Sequence, residues 1–148
     1  MQKPLQSFIG VFERTSPRSD GLATNRELIV YIEDLMRGGT KVTPQNVVNI
    51  RRLPDGRTVW LETGNDTAGL QHIYKRHEID FVNKGVPRDQ ISSVGMGALE
   101  SGAVVGTNGT ANFYRIVHNG VEQHIAIGVG SNGFVVRANP VSNWKPLQ

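Results

Sequence analysis

The segment Gly69–Phe81 concentrates side chains that transfer protons or bind negative charge. It contains two of the four histidines of the chain together with a lysine and an arginine. Histidine suits proton transfer because its ordinary pKa lies near neutrality, and a cation stabilises the charge that develops on a phosphate during its displacement. The candidates for this chemistry are His72, Lys75, Arg76 and His77.

The spacing of apolar residues predicts that this segment is a helix from about Thr67 to Asn83, with Gly85 as its C-terminal stop. At about 100° per residue, His77 shares a face with Leu70, Ile73, Tyr74 and Phe81. His72 and Arg76 lie on another side, with Ile79. His77 therefore has two interpretations: a catalytic residue, or a core histidine that is held by a hydrogen bond.

The histidine spacing argues against a metal site. A zinc-binding helix of the metalloprotease type needs histidines four positions apart on one face, whereas His72 and His77 are five apart. The chain has no cysteine, so a structural zinc would need His118 or His124 together with carboxylates. We predict no metal and no cofactor.

Cleavage of RNA has smaller requirements. One group takes the proton of the ribose 2′-hydroxyl, a second protonates the leaving 5′-oxygen, and a cation stabilises the phosphorane. The predicted helix supplies half of such a site, and the later strands must supply the rest. The candidates there are Tyr114, Arg115, His124, and Ser131 or Asn132.

Composition sets broad limits on these interpretations. The chain has 148 residues, which predicts one domain with a sizeable core. Its formal charge of +3 is a mild basic bias that is compatible with nucleic acid. No disulfide staples the fold, and no apolar stretch is long enough to be a membrane span or a signal peptide.

The N-terminal part predicts a helix and a hairpin. A first strand is expected within Leu5–Glu13, and Thr24 with Glu27 forms a capping box for a helix over about 24–37. A hairpin follows over Val47–Leu61 with its turn at Pro54-Asp55-Gly56. Three arginines near that turn either bind phosphate or form a solvated tip; they are Arg51, Arg52 and Arg57.

The C-terminal part predicts one more helix and then a sheet. Pro87–Ser101 is expected to be helical, with Ile91, Val94, Ala98 and Leu99 buried. Four strands follow as an antiparallel meander, with hairpin turns at Asn119-Gly120 and Ser131-Asn132-Gly133, and Asn139–Gln148 is expected to be a coil carrying Trp144. The predicted fold class is α+β: two helices packed on a four-stranded antiparallel sheet, with an extra N-terminal helix and hairpin.

Residues 58 to 140 resemble the C-terminal nuclease toxin domains of bacterial polymorphic toxins and contact-dependent growth inhibition proteins. Related domains occur in phage proteins. The resemblance rests on TVWLETGNDTAGLQHIYKRHEIDFVNKGV and, near the end, IAIGVGSNGFVVRANP. These domains are similar to the group that unites barnase, EndoU, the tRNase colicins and RelE, whose shared core is two helices followed by a four-stranded antiparallel sheet.

The resemblance implies a metal-independent ribonuclease, often acting on tRNA, that is neutralised by a cognate immunity protein. Some relatives need the translation elongation factor Tu. It also implies delivery from a larger secreted or surface protein into the cytoplasm of a target bacterium. By the same resemblance His72, Arg76 and His77 form the catalytic site with Ser131 and Asn132. From the residue types we expect Lys75, Tyr114 and Arg115 to bind substrate. The nuclease toxin domain would span residues 46–148, and residues 1–45 would be an extension or a segment that helps the toxin enter the cell.

Two other functions fit the same residues. A DNase or a transferase could use a similar scaffold, and metal dependence separates a DNase from an RNase whose nucleophile is a 2′-hydroxyl. A non-catalytic RNA- or protein-binding module would keep its affinity for RNA without His72 and His77. The sequence favours the ribonuclease.

Overall fold

The protein is described by a computed structural model that covers residues 25–108 and 111–141. The described part contains three helices and two antiparallel sheets, one of two strands and one of four. The predicted α+β class is confirmed. The strand predicted within Leu5–Glu13, the capping residue Thr24 and the coil around Trp144 lie outside the described residues.

Helix α1 spans Asn25–Arg37, as the sequence predicted. Its apolar stripe, Leu28, Ile32 and Leu35, is buried. Gly39, in the left-handed conformation with φ of 83°, follows the helix end. Helix α1 therefore forms because a stripe with helical spacing meets an apolar partner surface, which the first hairpin supplies.

That hairpin consists of β1 (Val47–Arg52) and β2 (Thr58–Glu62). Val47, Ile50 and Trp60 form one buried cluster with α1, while Val59 and Leu61 face the main core. The sheet is thus apolar on both faces. The N–H of Trp60 donates to the carbonyl of Gly133, so β2 is joined to the start of the last strand of the other sheet.

The arginines near this turn do not form one solvated tip, and that prediction is wrong for Arg51. Arg51 is 3% exposed, and its guanidinium lies 2.5 Å from Oε1 of Glu100. Arg52 pairs with Asp34 of α1 at 2.7 Å. Arg57 alone of the three is fully on the surface. The sequence could not reveal this because Glu100 lies 49 positions away.

Helix α2 spans Leu70–Asn83, so it begins three residues later than Thr67. The side chain of Asn65 accepts hydrogen bonds from the backbone N–H groups of Thr67 and Ala68, which keeps this part of the chain in a turn. Gly69, at φ of 88°, occupies the position before the helix. The predicted stop at Gly85 is confirmed by its φ of 88°.

Helix α3 spans Ile91–Ser101 and follows a separate 3-10 turn, Arg88–Gln90. The sequence predicted one continuous helix from Pro87, so only its main part is confirmed. The four side chains predicted to be buried are buried, and Met96 joins them.

The second sheet is the predicted antiparallel meander, with strand order β3-β4-β5-β6. Asn119 and Gly120 both have positive φ, 53° and 77°, as the type I′ turn between β4 and β5 requires. The last strand includes Asn139 and Pro140, which the sequence assigned to a coil. The strands are β3 (Ala103–Asn108), β4 (Ala111–His118), β5 (Val121–Val129) and β6 (Val135–Pro140).

Helices α2 and α3 cover one face of this sheet. Helix α2 packs against β6, and α3 packs against β4 and β5. Phe81, Met96 and Ile125, from α2, α3 and β5, are each at most 1% exposed in the shared core. Burying one such side chain contributes about 1.5–3 kcal/mol. The described helices are all too short or too polar to span a membrane.

The described part of the predicted N-terminal extension, residues 25–45, packs against the rest of the fold. Within residues 25–45, α1 shares its buried cluster with the hairpin that starts at Val47. The hairpin in turn borders α3 and β6. We therefore treat α1 as a layer on the same core.

Candidate active site

A row of polar side chains runs along α2 at successive turns. His72, Arg76 and Asp80 are spaced four positions apart, so they lie above one another on the helix surface. On the opposite side of α2, Tyr74 and Glu78 contact Arg88 in front of α3. His72, Arg76 and Asp80 therefore lie on the side of α2 that faces away from α3, and His77 lies between that side and the packed face. We call His72, Arg76, His77 and Asp80 the α2 row, because His77 is bonded to Asp80.

His72 is held in one orientation by the loop before the helix. Its Nδ1 lies 2.8 Å from the backbone carbonyl oxygen of Asp66. A carbonyl only accepts, so Nδ1 must carry the hydrogen and donate it. In the neutral ring this leaves the Nε2 lone pair available as a proton acceptor.

The path of that loop depends on close backbone contacts. Gly64 has φ of 67°, and a Cβ at this position would collide with the carbonyl oxygen of Ala68. At Gly69 a Cβ would lie 2.9 Å from the carbonyl oxygen of Glu62. Asn65 fixes the turn between these glycines. The backbone carbonyl of Asp66 is thus positioned by the packing of the loop.

His77 is bonded to a carboxylate and is partly exposed. Its Nδ1 lies 3.0 Å from Oδ2 of Asp80, and its side chain is 28% exposed although the helical pattern places it on the packed face. Since the ionised carboxylate only accepts, Nδ1 again carries the hydrogen. Of the two interpretations made from the sequence, the geometry favours an accessible histidine over one enclosed in the core.

The cations of the segment have different surroundings. Arg76 is exposed and has no hydrogen-bond or ion-pair partner within residues 25–108 and 111–141. Lys75 lies 3.0 Å from the carboxylate of Asp66 and is 58% exposed. Arg76, between the two histidines, is therefore the cation that is free to meet a phosphate.

The candidates on the strands do not join the α2 row. Tyr114 is 8% exposed and belongs to the main core on the helix side of the sheet, which places its ring among packing residues rather than at a surface that substrate reaches. Arg115 and His124 are register partners on the opposite face of the sheet. Oε2 of Glu122 lies 3.4 Å from Nε2 of His124 there. This second group faces away from α2.

The turn with Ser131 and Asn132 packs against the first hairpin. Asn132 accepts a hydrogen bond from the N–H of Phe134 within its own turn. The next residue, Gly133, touches β2: a Cβ on Gly133 would collide with the carbonyl oxygen of Thr58. These contacts lie within the turn itself and between the turn and the first hairpin.

Two acidic residues of the site were not singled out in the sequence. Asp80 could have been found, because the i,i+3 spacing from His77 places both side chains together on a helix. Asp66 could not, since its role depends on a loop path that has no periodic pattern.

Among the described residues no three His, Asp or Glu side chains are grouped as metal ligands. No known protein-family model matches the chain, and the search of curated proteins finds no match.

Proposed function

We propose that the protein is an antibacterial toxin with endoribonuclease activity, which cleaves RNA without a metal ion and leaves a 2′,3′-cyclic phosphate. The observation that carries this proposal is the α2 row. Two histidines each bind an internal acceptor through Nδ1, and a guanidinium with no partner among the described residues lies between them. General acid–base cleavage of RNA needs these groups.

Each group has a defined role in the proposed reaction. Nε2 of His72 accepts the proton of the ribose 2′-hydroxyl, whose oxygen then bonds to phosphorus. The bond from phosphorus to the 5′-oxygen breaks, and protonated His77 gives its proton to that oxygen. Arg76 stabilises the negative charge on the phosphorane. We assign the acid to His77 because the neighbouring Asp80 carboxylate balances the charge of a protonated ring.

Five positions separate the two histidines, which corresponds to about 7.5 Å along the helix axis and about 140° around it. A phosphate bound at Arg76, which lies between these two directions, would have His72 on one side and His77 on the other. In this assignment Asp66 and Asp80 complete the site, in place of Ser131 and Asn132.

The biological setting that we propose follows from the sequence resemblance. The described arrangement of α2, α3 and the four-stranded sheet is compatible with the core of the barnase, EndoU, colicin and RelE group. The proposed partners are RNA, with tRNA as the favoured class, a cognate immunity protein and elongation factor Tu. We further propose that a larger secreted or surface protein delivers the domain into the target cytoplasm.

The proposal is tested by expressing the chain in bacteria and running total RNA on a denaturing gel. Discrete fragments should appear with the wild type, and their formation should persist when the purified protein is assayed with a chelator. His72→Ala and His77→Ala should each lower the cleavage rate by about 10²–10⁴-fold. His118→Ala is the matched control, because His118 is bound to Gln90 away from α2.

Two outcomes would contradict the assignment. If His72→Ala and His77→Ala cleave at the wild-type rate while His124→Ala does not, the site lies on the other face of the sheet with Arg115 and Glu122. If RNA stays intact with the wild type even after cell extract is added, whereas both wild type and the His72, His77 double variant bind RNA, the protein is a binding module.

A further inference from the structure

The face of the four-stranded sheet opposite to α2 and α3 has a buried end and an exposed end. Phe113 precedes Tyr114 of the main core, so the alternation of side chains along β4 places Phe113 on that opposite face. Phe113 is 4% exposed, and its register partner Ala126 is 6% exposed. Val117, on the same face of β4, is 67% exposed. Solvent is therefore excluded from the Phe113 end of this face and not from the Val117 end.

The floor of the buried end is one aromatic ring among small residues. In the sheet register Phe113 pairs with Ala126 of β5 and with Gly106 of β3. Glycine and alanine leave the Phe113 ring without side chains of similar height beside it in this row. Neither Phe113 nor Ala126 belongs to the two buried clusters that the described residues form. Their low exposure therefore indicates a segment of chain that lies over this end of the face.

Helix α1 lies on the same face of the sheet as the buried end. The hairpin continues the four-stranded sheet, because Trp60 of β2 forms a bridge with Phe134 at the start of β6. Trp60 and Phe134 pack with α1, whereas their chain neighbours Val59 and Val135 belong to the main core on the other face. The residues that precede Asn25 therefore join the described structure on the face that carries Phe113.

The C-terminal segment, residues 142–148, follows a strand that leads away from the buried end. In β6, Asn139 pairs with Ala126, and the N–H of Val141 donates to the carbonyl of His124 at 2.8 Å. Each step along β6 thus moves towards the first residue of β5, where the exposed end lies. The described end of β6 therefore favours the other terminal segment as the cover.

The N-terminal segment supplies apolar side chains and enough length. A polar stretch, residues 13–21, separates the apolar part from α1. The 12 residues 13–24 span up to about 40 Å when extended, which exceeds the few strand spacings of about 4.8 Å between the hairpin and β4. Five apolar residues fall within residues 5–12: Leu5, Phe8, Ile9, Val11 and Phe12.

We infer that residues 5–12 pack on the Phe113 end of the sheet, so that this apolar floor is an intramolecular docking site for the N-terminal segment. The inference does not depend on the proposed ribonuclease activity. It assigns the apolar part of the N-terminal segment to the folded domain, in contrast to a separate segment that serves only for entry into a cell.

Thiol labelling of cysteine variants in the full chain tests the inference, because the chain has no cysteine of its own. Ala126→Cys places a thiol on the floor, and Val117→Cys places one at the exposed end. We expect the floor thiol to react about tenfold more slowly or less, since it reacts only when the cover opens. Phe8→Asp with Phe12→Asp should remove this protection, because the apolar floor does not accommodate a carboxylate. Ser16→Asp is the matched control and should leave the protection intact.

A second pair of positions measures proximity directly. Asn139→Cys lies beside Ala126 in the register and is partly exposed, so it serves where Ala126→Cys alters folding. In a chain with Ile9→Cys and Asn139→Cys, a short bifunctional thiol reagent should form a cross-link within one molecule.

The outcomes distinguish the possible covers. Loss of protection in the Phe8, Phe12 double variant together with the cross-link within one chain supports the inference. It is overturned if the floor thiol reacts as fast as Val117→Cys, or if Trp144→Asp removes the protection and the N-terminal double variant does not. Protection that falls on dilution also overturns it, because a second copy of the chain would then be the cover.

Discussion

Nδ1 of His77 and Oδ2 of Asp80 lie 3.0 Å apart across one turn of α2. The pair is partly exposed, with side-chain exposures of 28% and 55%, and exposed pairs at this spacing contribute only about 0.3–0.5 kcal/mol to stability. The pair therefore contributes little to the stability of the fold. In the proposed mechanism it orients His77 and balances the charge of its protonated ring.

The first prediction concerns Asp80→Asn. The amide can still accept a hydrogen bond from Nδ1–H but carries no charge, so we expect kcat to fall by about tenfold or more with KM nearly unchanged. The melting temperature should change little. Steady-state kinetics on a fluorescent RNA measures both parameters. Asp89→Asn, on the neighbouring exposed turn, is the control, and an unchanged kcat in Asp80→Asn would exclude a role in proton transfer.

The second prediction concerns the loop that holds His72. In Gly64→Ala the new Cβ would collide with the carbonyl of Ala68, and the residue would also need φ of 67°. The loop must shift, which moves the carbonyl of Asp66 away from His72. We expect loss of stability of about 2–3 kcal/mol together with a larger loss of cleavage than the unfolded fraction explains.

Gly56→Ala separates backbone strain from displacement of the loop. Gly56 also has positive φ, 91°, but a Cβ there meets nothing within 4 Å. This variant should lose about 1 kcal/mol and keep its specific activity. Chemical unfolding and activity per folded molecule give both quantities. Equal specific activity in the two variants would mean that the loop does not position His72.

Periodic patterns in the sequence predicted the elements of the fold well. Three elements were predicted correctly because each depends on neighbours within about one helical turn or one strand pair. They are the helix with Leu28, Ile32 and Leu35, the strand Val47–Arg52 and the Asn119-Gly120 turn. The positions at which the helices begin were predicted less accurately from the sequence. The start of α2 is set by the side chain of Asn65, which binds the backbone at Thr67 and Ala68 and competes with helix formation.

Contacts between residues that are distant in the chain could not be predicted from the sequence. The burial of Arg51 depends on Glu100, and the acceptor for His72 depends on the folded path around Asp66. The sequence identified residue types capable of chemistry and included Arg115 and His124 among the candidates. It did not show that these two residues are register partners on the face of the sheet opposite to α2. Which side chains come together in the folded protein depends on how α2 packs over β6.

The third prediction tests the buried ion pair between the hairpin and α3. Arg51 is enclosed, and its guanidinium binds both Asn49 and Glu100. Glu100→Ala leaves a buried cation without this carboxylate, which should cost about 3 kcal/mol of unfolding free energy. Urea unfolding measures this. Glu122→Ala, an exposed carboxylate on β5, is the control and should change stability by less than about 0.5 kcal/mol; a similar small effect for Glu100→Ala would show that the pair is dispensable.

The fourth prediction is a pH dependence of the contact between α1 and the hairpin. The hydrogen bond from Arg52 lowers the pKa of Asp34 below its ordinary value of 3.8, Arg37 adds to this, and partial desolvation opposes it. A carboxyl with a lowered pKa in the folded state stabilises the fold when ionised. That stabilisation is fully present above the unfolded pKa and is lost as the pH falls through the folded pKa.

We therefore expect Asp34→Asn to be less stable than the wild type at pH 7, with a difference that shrinks steadily as the pH falls below about 3.8. The exposed position of Asp34 and its screening by solvent make the effect small. Urea unfolding of both proteins between pH 7 and pH 2.5 provides the measurement, with Asp55→Asn as the control because Asp55 bonds only to the backbone N–H of Arg57 among the described residues. A difference between Asp34→Asn and wild type that stays constant over this range would show that the ion pair with Arg52 does not couple α1 to the hairpin.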